Sequence, residues 1–202
     1  MKTAKNVIVL TIITVVAGFL LGYVYDITKG PIEQATEKAK QEAYQSVFPS
    51  ASSFEAVASF DEAIATNAIN TSGGINGVSI EEALIAKDSS GEVLGYVFTV
   101  TSAEGYGGDV QLSMGVTNDG TINGIEFLSL SETAGLGMNA DTPEFKSQFA
   151  GMNAKQVTFT KTGKQNDYEI DAISGATITT TAVTKAVNGG LYYFQSLNGG
   201  AN

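Results

Sequence analysis

Residues 92–130 read EVLGYVFTVTSAEGYGGDVQLSMGVTNDGTINGIEFLSL, and this stretch decides the fold class. The runs Glu92–Ser102, Asp109–Thr117 and Thr121–Leu130 are rich in β-branched and aromatic residues, and the period of two begins as early as Ala83. Turn signals bound them at Ser90-Gly91, Gly105 to Gly108 and Asn118-Asp119-Gly120. Three consecutive strands joined by short turns predict an antiparallel meander.

On the C-terminal side, Pro143 to Phe149 reads as a short helix, and Gln156 to Lys161 and Tyr168 to Ile170 read as strands. Thr179 to Ser196 reads as a helix with Val183, Val187, Leu191 and Phe194 on one face. On the N-terminal side, residues 50–80 are rich in Ser, Ala, Asn and Gly, and little regular structure is expected there. Before them, Ile32, Ala35, Ala39, Ala43 and Val47 recur at spacings of three and four, an amphipathic helix ending near Phe48-Pro49. Thr28-Lys29-Gly30-Pro31 reads as a break, with Pro31 restarting the chain at a first helical position. Helices around an antiparallel sheet make an α+β domain.

From Asn6 to Tyr25 the chain carries no charge. Twenty helical residues span about 30 Å, the thickness of a bilayer's hydrocarbon core. A cleaved signal peptide is the competing reading, but LLGYVYD offers no small-residue cleavage site. Lys2 and Lys5 precede the span and Asp26 follows it, which places the N-terminus in the cytoplasm and the remainder outside. Gly18 and Gly22 lie four apart on one face of this span. The expected organisation is a cytoplasmic N-terminus (1–5), a transmembrane anchor (6–25), a helix with connecting segment (26–80) and a globular domain (81–202).

Composition removes whole classes of chemistry. The 202 residues include no Cys, His, Trp or Arg, and the net charge is −10. Thiolate-held clusters, typical zinc sites and Ser-His or Cys-His nucleophile pairs are excluded, and no metal site is expected. A nucleic-acid partner is excluded as well, because the lysines are sparse and unclustered. Beyond Tyr25, nine Lys stand against 21 acids, a net charge of −12.

One segment carries chemistry: Asp171-Ala172-Ile173-Ser174-Gly175-Ala176-Thr177, followed by Ile178-Thr179-Thr180-Thr181. Small residues and hydroxyls gather where a strand gives way to a helix, and a helix start binds anions through its unpaired amides. Ordinary N-capping by Ser174 or Thr177 is the other reading of the same residues.

The pattern D-x-x-S-G-A-T resembles the flavinylation signature of the FMN-binding domain family. In that family a flavin transferase moves FMN from FAD onto the last threonine through a phosphoester bond. Gly105-Tyr106-Gly107-Gly108, the Asn118-Asp119-Gly120 hairpin and Ser131-Glu132-Thr133-Ala134-Gly135-Leu136-Gly137 follow the family's order of motifs over roughly residues 80 to 190. The single helix ahead of such a domain is similar to the G-subunit family of Rnf ion-translocating ferredoxin:NAD oxidoreductase complexes, and to the C-subunit family of sodium-pumping NADH:quinone reductases. Ala134 departs from the commoner proline.

The resemblance implies FMN on Thr177, with Ser174, Gly175, Ala176, Thr180, Glu132, Thr133, Gly135, Leu136 and Gly137 around it and Asp171 read by the transferase. Leu136 would cover a flavin face or pack in the core. Glu132 would bond the flavin or accept from its own loop's amides. The partners implied are the other membrane subunits of a Rnf-type complex and the maturing transferase. The chain would relay electrons without being catalytic alone. Two other classes are open: a flavin-free exported scaffold or interaction protein, and a carboxylate hydrolase, for which no acid pair stands out.

Overall fold

The computed structural model describes residues 2–197, leaving aside the side chains of Lys2, Thr3 and Ser72. Met1 and the last five residues of the expected 81–202 domain lie outside the described residues. The chain divides into two compact units between Lys40 and Gln41.

The first unit is built on helix α1, Lys2–Val47, whose last seven residues belong to the second unit. It holds a helix long and apolar enough to cross a membrane. Val7, Leu10, Phe19 and Leu21 are all more than half exposed, a surface suited to lipid rather than water. The break expected at Thr28 to Pro31 is absent, and α1 runs through Pro31. A proline inside a helix removes one amide donor, and Gly30 before it is a poor helix former, so local propensity does not explain the continuity. The Thr28 hydroxyl folds back onto the Val24 carbonyl at 2.8 Å, keeping that turn closed.

The second unit is a five-stranded antiparallel sheet in the order β1-β2-β3-β4-β5: Ser53–Ala56, Val78–Lys87, Val93–Ser102, Val110–Thr117 and Ile122–Leu130. The expected meander is its β3-β4-β5 half. The segment 50–80, read as nearly structureless, supplies β1, helix α2 (Glu62–Gly73) and the start of β2. Asp61 caps α2 by accepting from Ile64 N, and Gly74 ends it in a left-handed conformation.

Two cores lie on the two faces of the sheet. On one, α2 and helix α4 (Thr177–Leu197) bring Ile69, Val183, Val187 and Leu191 together with Phe98, Val100, Leu112 and Met114. All four residues expected on the inward face of α4 are buried. On the other, Tyr44, Val47 and Phe48 from the end of α1 join Leu84, Ala86 and Val97. Strand β3 is therefore buried on both sides over Val97–Val100, and Thr99 finds a partner in the Tyr44 hydroxyl at 3.3 Å. Beyond β5 come a 3-10 helix (Gly137–Asp141), a short helix α3 (Pro143–Lys146), and strands β6 (Thr158–Thr160) and β7 (Glu169–Asp171), which pair in parallel. The observed architecture is α+β, as the sequence predicts.

Candidate functional site

The loop after β5 and the start of α4 meet at a cavity of about 500 Å³ lined by Tyr106, Glu132, Thr133, Leu136, Gly137 and the segment Gly175–Thr179. Its volume lies in the usual range for small-molecule sites. A larger, shallower cleft of about 610 Å³ beside α2 is lined by polar residues such as Asp61, Thr66 and Asn70, and holds none of the residues singled out above.

Close backbone approach sets the geometry. Gly137 is buried, and a methyl group there would meet Glu132 Cβ at 2.8 Å and Thr179 Oγ1 at 2.5 Å, so the loop can press onto α4 only with glycine at this point. Gly175 has φ +75°, a left-handed conformation that glycine adopts without strain, and Leu136 lies directly across from it. Within the loop, Leu136 N and Met138 N both donate to the Thr133 carbonyl, and Asn139 Nδ2 donates to the Gly135 carbonyl at 3.1 Å. Leu136 is held outward by this bracing and is 43% exposed, so core packing is not its role.

The Glu132 carboxylate accepts from the Tyr106 amide at 2.8 Å. Among the described residues it accepts from no amide of its own loop, and it ties the glycine loop 105–108 to the cavity rim. Tyr106 is 70% exposed at the mouth.

At the start of α4 the threonines separate cleanly. Thr180 is fully buried, accepting from Ile173 N at 3.1 Å and donating to the Ala176 carbonyl at 2.9 Å. Thr181 donates to the Thr177 carbonyl at 2.8 Å, and Thr179 is buried against Gly137. Thr177 lines the cavity half-buried, and its hydroxyl has no hydrogen-bond partner among the described residues. Among the described residues, neither Ser174 nor Thr177 accepts an amide with its side chain, so the structure does not show the N-capping reading of these residues. The amides of Thr177, Ile178 and Thr179 precede the first helical bond, which Thr180 N makes to the Ala176 carbonyl. They give the cavity a positive helix end.

The structure thus gathers Thr177, Gly175, Ala176, Glu132, Thr133, Leu136 and Gly137 in one place. Ser174 and Gly135 are exposed beside the cavity without lining it, and Thr180 is spent inside its own helix turn. Asp171 is also outside, its carboxylate accepting from Lys164 N at 2.7 Å. Nearby, amide donation from Gln165, then from Asn166, holds the Glu169 carboxyl below its usual range. Sequence reasoning missed Tyr106, Ile178 and Thr179 as lining residues. The glycines flanking Tyr106 were the available signal for the first, while an apolar residue at a helix start gives none for the second and Thr179 is one of several neighbouring threonines with nothing in the sequence to tell them apart.

The FMN-binding domain signature matches residues 105–192. The G subunit of the Na(+)-translocating ferredoxin:NAD(+) oxidoreductase complex of Acetobacterium woodii is 37% identical over 95% of this chain and 91% of its own length. The chain belongs to the G-subunit family of ion-translocating oxidoreductase complexes. Another member of this family, from Methanosarcina acetivorans, is 33% identical over 98% of the present chain and 97% of its own. The fold of this G-family chain is also like that of a solved structure, the C subunit of the Na(+)-translocating NADH-quinone reductase from Parabacteroides distasonis. The TM-score is 0.50 at 23% identity, covering 71% of this chain and 78% of that one.

Proposed function

We propose that this protein is a membrane-anchored flavoprotein that relays electrons through FMN joined covalently to Thr177, within a Rnf-type ion-translocating complex. The observation that carries the reading is the unpartnered Thr177 hydroxyl at the cavity, beside threonines whose hydroxyls are bonded or buried. The cavity suits the cofactor's parts. Unpaired amides at the start of α4 face an anion where no Arg exists to clamp one. Leu136, Tyr106 and Ile178 offer exposed apolar surface to a flat ring, and Glu132 holds Tyr106 in place.

FMN, when bound, supplies the redox chemistry, and the protein supplies placement and electrostatics. The net charge of −10 disfavours added negative charge on reduction and so lowers the potential, an effect weakened by screening for distant carboxylates. Lys2 and Lys5 on one side of the apolar span and Asp26 on the other support an N-in topology with the flavin domain outside. A dissociable cofactor would be lost from such a domain, and covalent attachment by a flavin transferase prevents that. The relatives' names make them subunits of ion-translocating oxidoreductase complexes, which supports other subunits of such a complex as partners, and the electron donor and acceptor are assigned to those subunits.

The test is protein from the native host, denatured and run on a gel. Wild type is expected to fluoresce as a flavin, and Thr177→Val, which keeps the shape and removes the hydroxyl, is expected to be dark while its thermal unfolding is unchanged. A fluorescent Thr177→Val would overturn the attachment site. A dark wild type would favour the flavin-free scaffold.

A further inference from the structure

Two side chains outside the cavity converge on the strand that leads into it. Gln148, just beyond α3, turns its amide to the backbone of Asp171. Asp171 N donates to Gln148 Oε1 at 2.6 Å, and Gln148 Nε2 donates to the Asp171 carbonyl at 3.4 Å. Strand β6 pairs with one edge of β7, so the Gln148 amide stands in for a strand on the other. The Asp171 carboxylate is itself engaged, accepting from Lys164 N and closing the 161–168 loop together with Glu169. Two further bonds fix the way to the cavity: Ala172 N to the Thr160 carbonyl at 2.8 Å and Ile173 N to Thr180 Oγ1 at 3.1 Å. From Asp171 to Ile173, each backbone amide is therefore anchored.

We propose that Gln148 and Asp171 are positioning residues for flavin attachment: they fix the backbone of 171–173 so that Thr177 is presented at the cavity, and Asp171 acts through its bond to Lys164 rather than by offering its charge to the transferase. The inference rests on Thr177 being the acceptor. In the step they serve, Thr177 Oγ forms a bond to the FMN phosphorus of FAD, the phosphoanhydride bond breaks, AMP leaves with the bridging oxygen, and the threonine proton passes to solvent. No electrons are gained or lost.

The experiment incubates the purified full-length chain in detergent with flavin transferase and FAD, and follows the initial rate of covalent flavin incorporation, with thermal unfolding of each variant alongside. Asn at 171 keeps the acceptor oxygen for Lys164 N, so Asp171→Asn should load at close to the wild-type rate. Asp171→Ala removes that acceptor and Gln148→Met removes both amide bonds at nearly constant side-chain length. Each should slow loading by about fivefold or more, the scale of one lost hydrogen bond. Asp171→Asn as slow as Asp171→Ala would overturn the proposal in favour of a charge read by the transferase, and so would Gln148→Met loading at the wild-type rate. A wild type that takes up no flavin, or a Thr177→Val that does, would instead sink the acceptor assignment, which keeps the two failures apart.

Discussion

At Gly137 a single methyl group separates a closed pocket loop from an open one. Its Cβ would sit 2.8 Å from Glu132 Cβ and 2.5 Å from the Oγ1 of buried Thr179. Gly137→Ala should cost about 1–3 kcal/mol, the usual penalty for overpacking, and reduce flavin content in proportion. Chemical unfolding and the flavin-to-protein ratio check the two parts, and unchanged values in both would mean that the loop does not rest on α4. Residues of this kind were legible only where the motif named them. Thr177, Glu132, Leu136 and Gly137 come from the signature, and the structure brings them together. Thr180 did not keep its expected place, because a helical threonine back-bonds to the carbonyl four residues earlier whenever its rotamer allows. Tyr106 joins the site through its backbone amide, which donates to Glu132 26 residues away, a contact that no local pattern announces.

Elements are tied to one another by a small number of polar contacts, and Lys146 makes the most consequential pair. It bridges Glu126 on β5 at 2.6 Å and Asp141 at the end of the 3-10 helix at 2.9 Å, so it secures the far end of the segment that begins at Gly137. Burial pulls the Lys146 ammonium down, but the hydrogen bonds to Glu126 and Asp141 outweigh it and leave the group above the ordinary lysine value. A cation raised in the folded state contributes stability below the unfolded pKa of about 10.4 and loses it as pH rises through the folded value. Lys146→Met should therefore be less stable by about 1 kcal/mol at pH 7, with the gap to wild type closing above about pH 10.5. Denaturant midpoints measured across that range check the sign, and a gap that widens with pH would contradict it.

Among the elements themselves, β3, β4, β5 and α4 were readable because long alternating or helical apolar runs state their period openly. Strand β1 has four mostly exposed residues, and α2 offers a buried face of little more than Ala65 and Ile69, so neither produces a periodic signal. Asp61 and Gly73-Gly74 were the cap signals available for α2. The break expected at Gly30-Pro31 did not form, and α1 runs through it without support from local propensity.

On the scale of the whole molecule, one apolar span and one flavin-site domain share a chain without cysteine. That absence makes topology directly measurable. Thr71 is exposed on α2, and Thr71→Cys introduces a unique thiol into the second unit. In spheroplasts a membrane-impermeant maleimide should label this variant without permeabilisation, as the proposed N-in topology predicts. Labelling only after lysis would reverse the orientation and remove the reason for a covalent cofactor. The central claim, that Thr177 carries FMN, is tested most directly by peptide mapping of the full-length protein from its native host. The mass of one flavin mononucleotide, less water, is expected on the peptide containing Thr177, with fragmentation placing it on that residue and not on Thr179, Thr180 or Thr181. An unmodified Thr177, or the same mass on a neighbouring threonine, would contradict it.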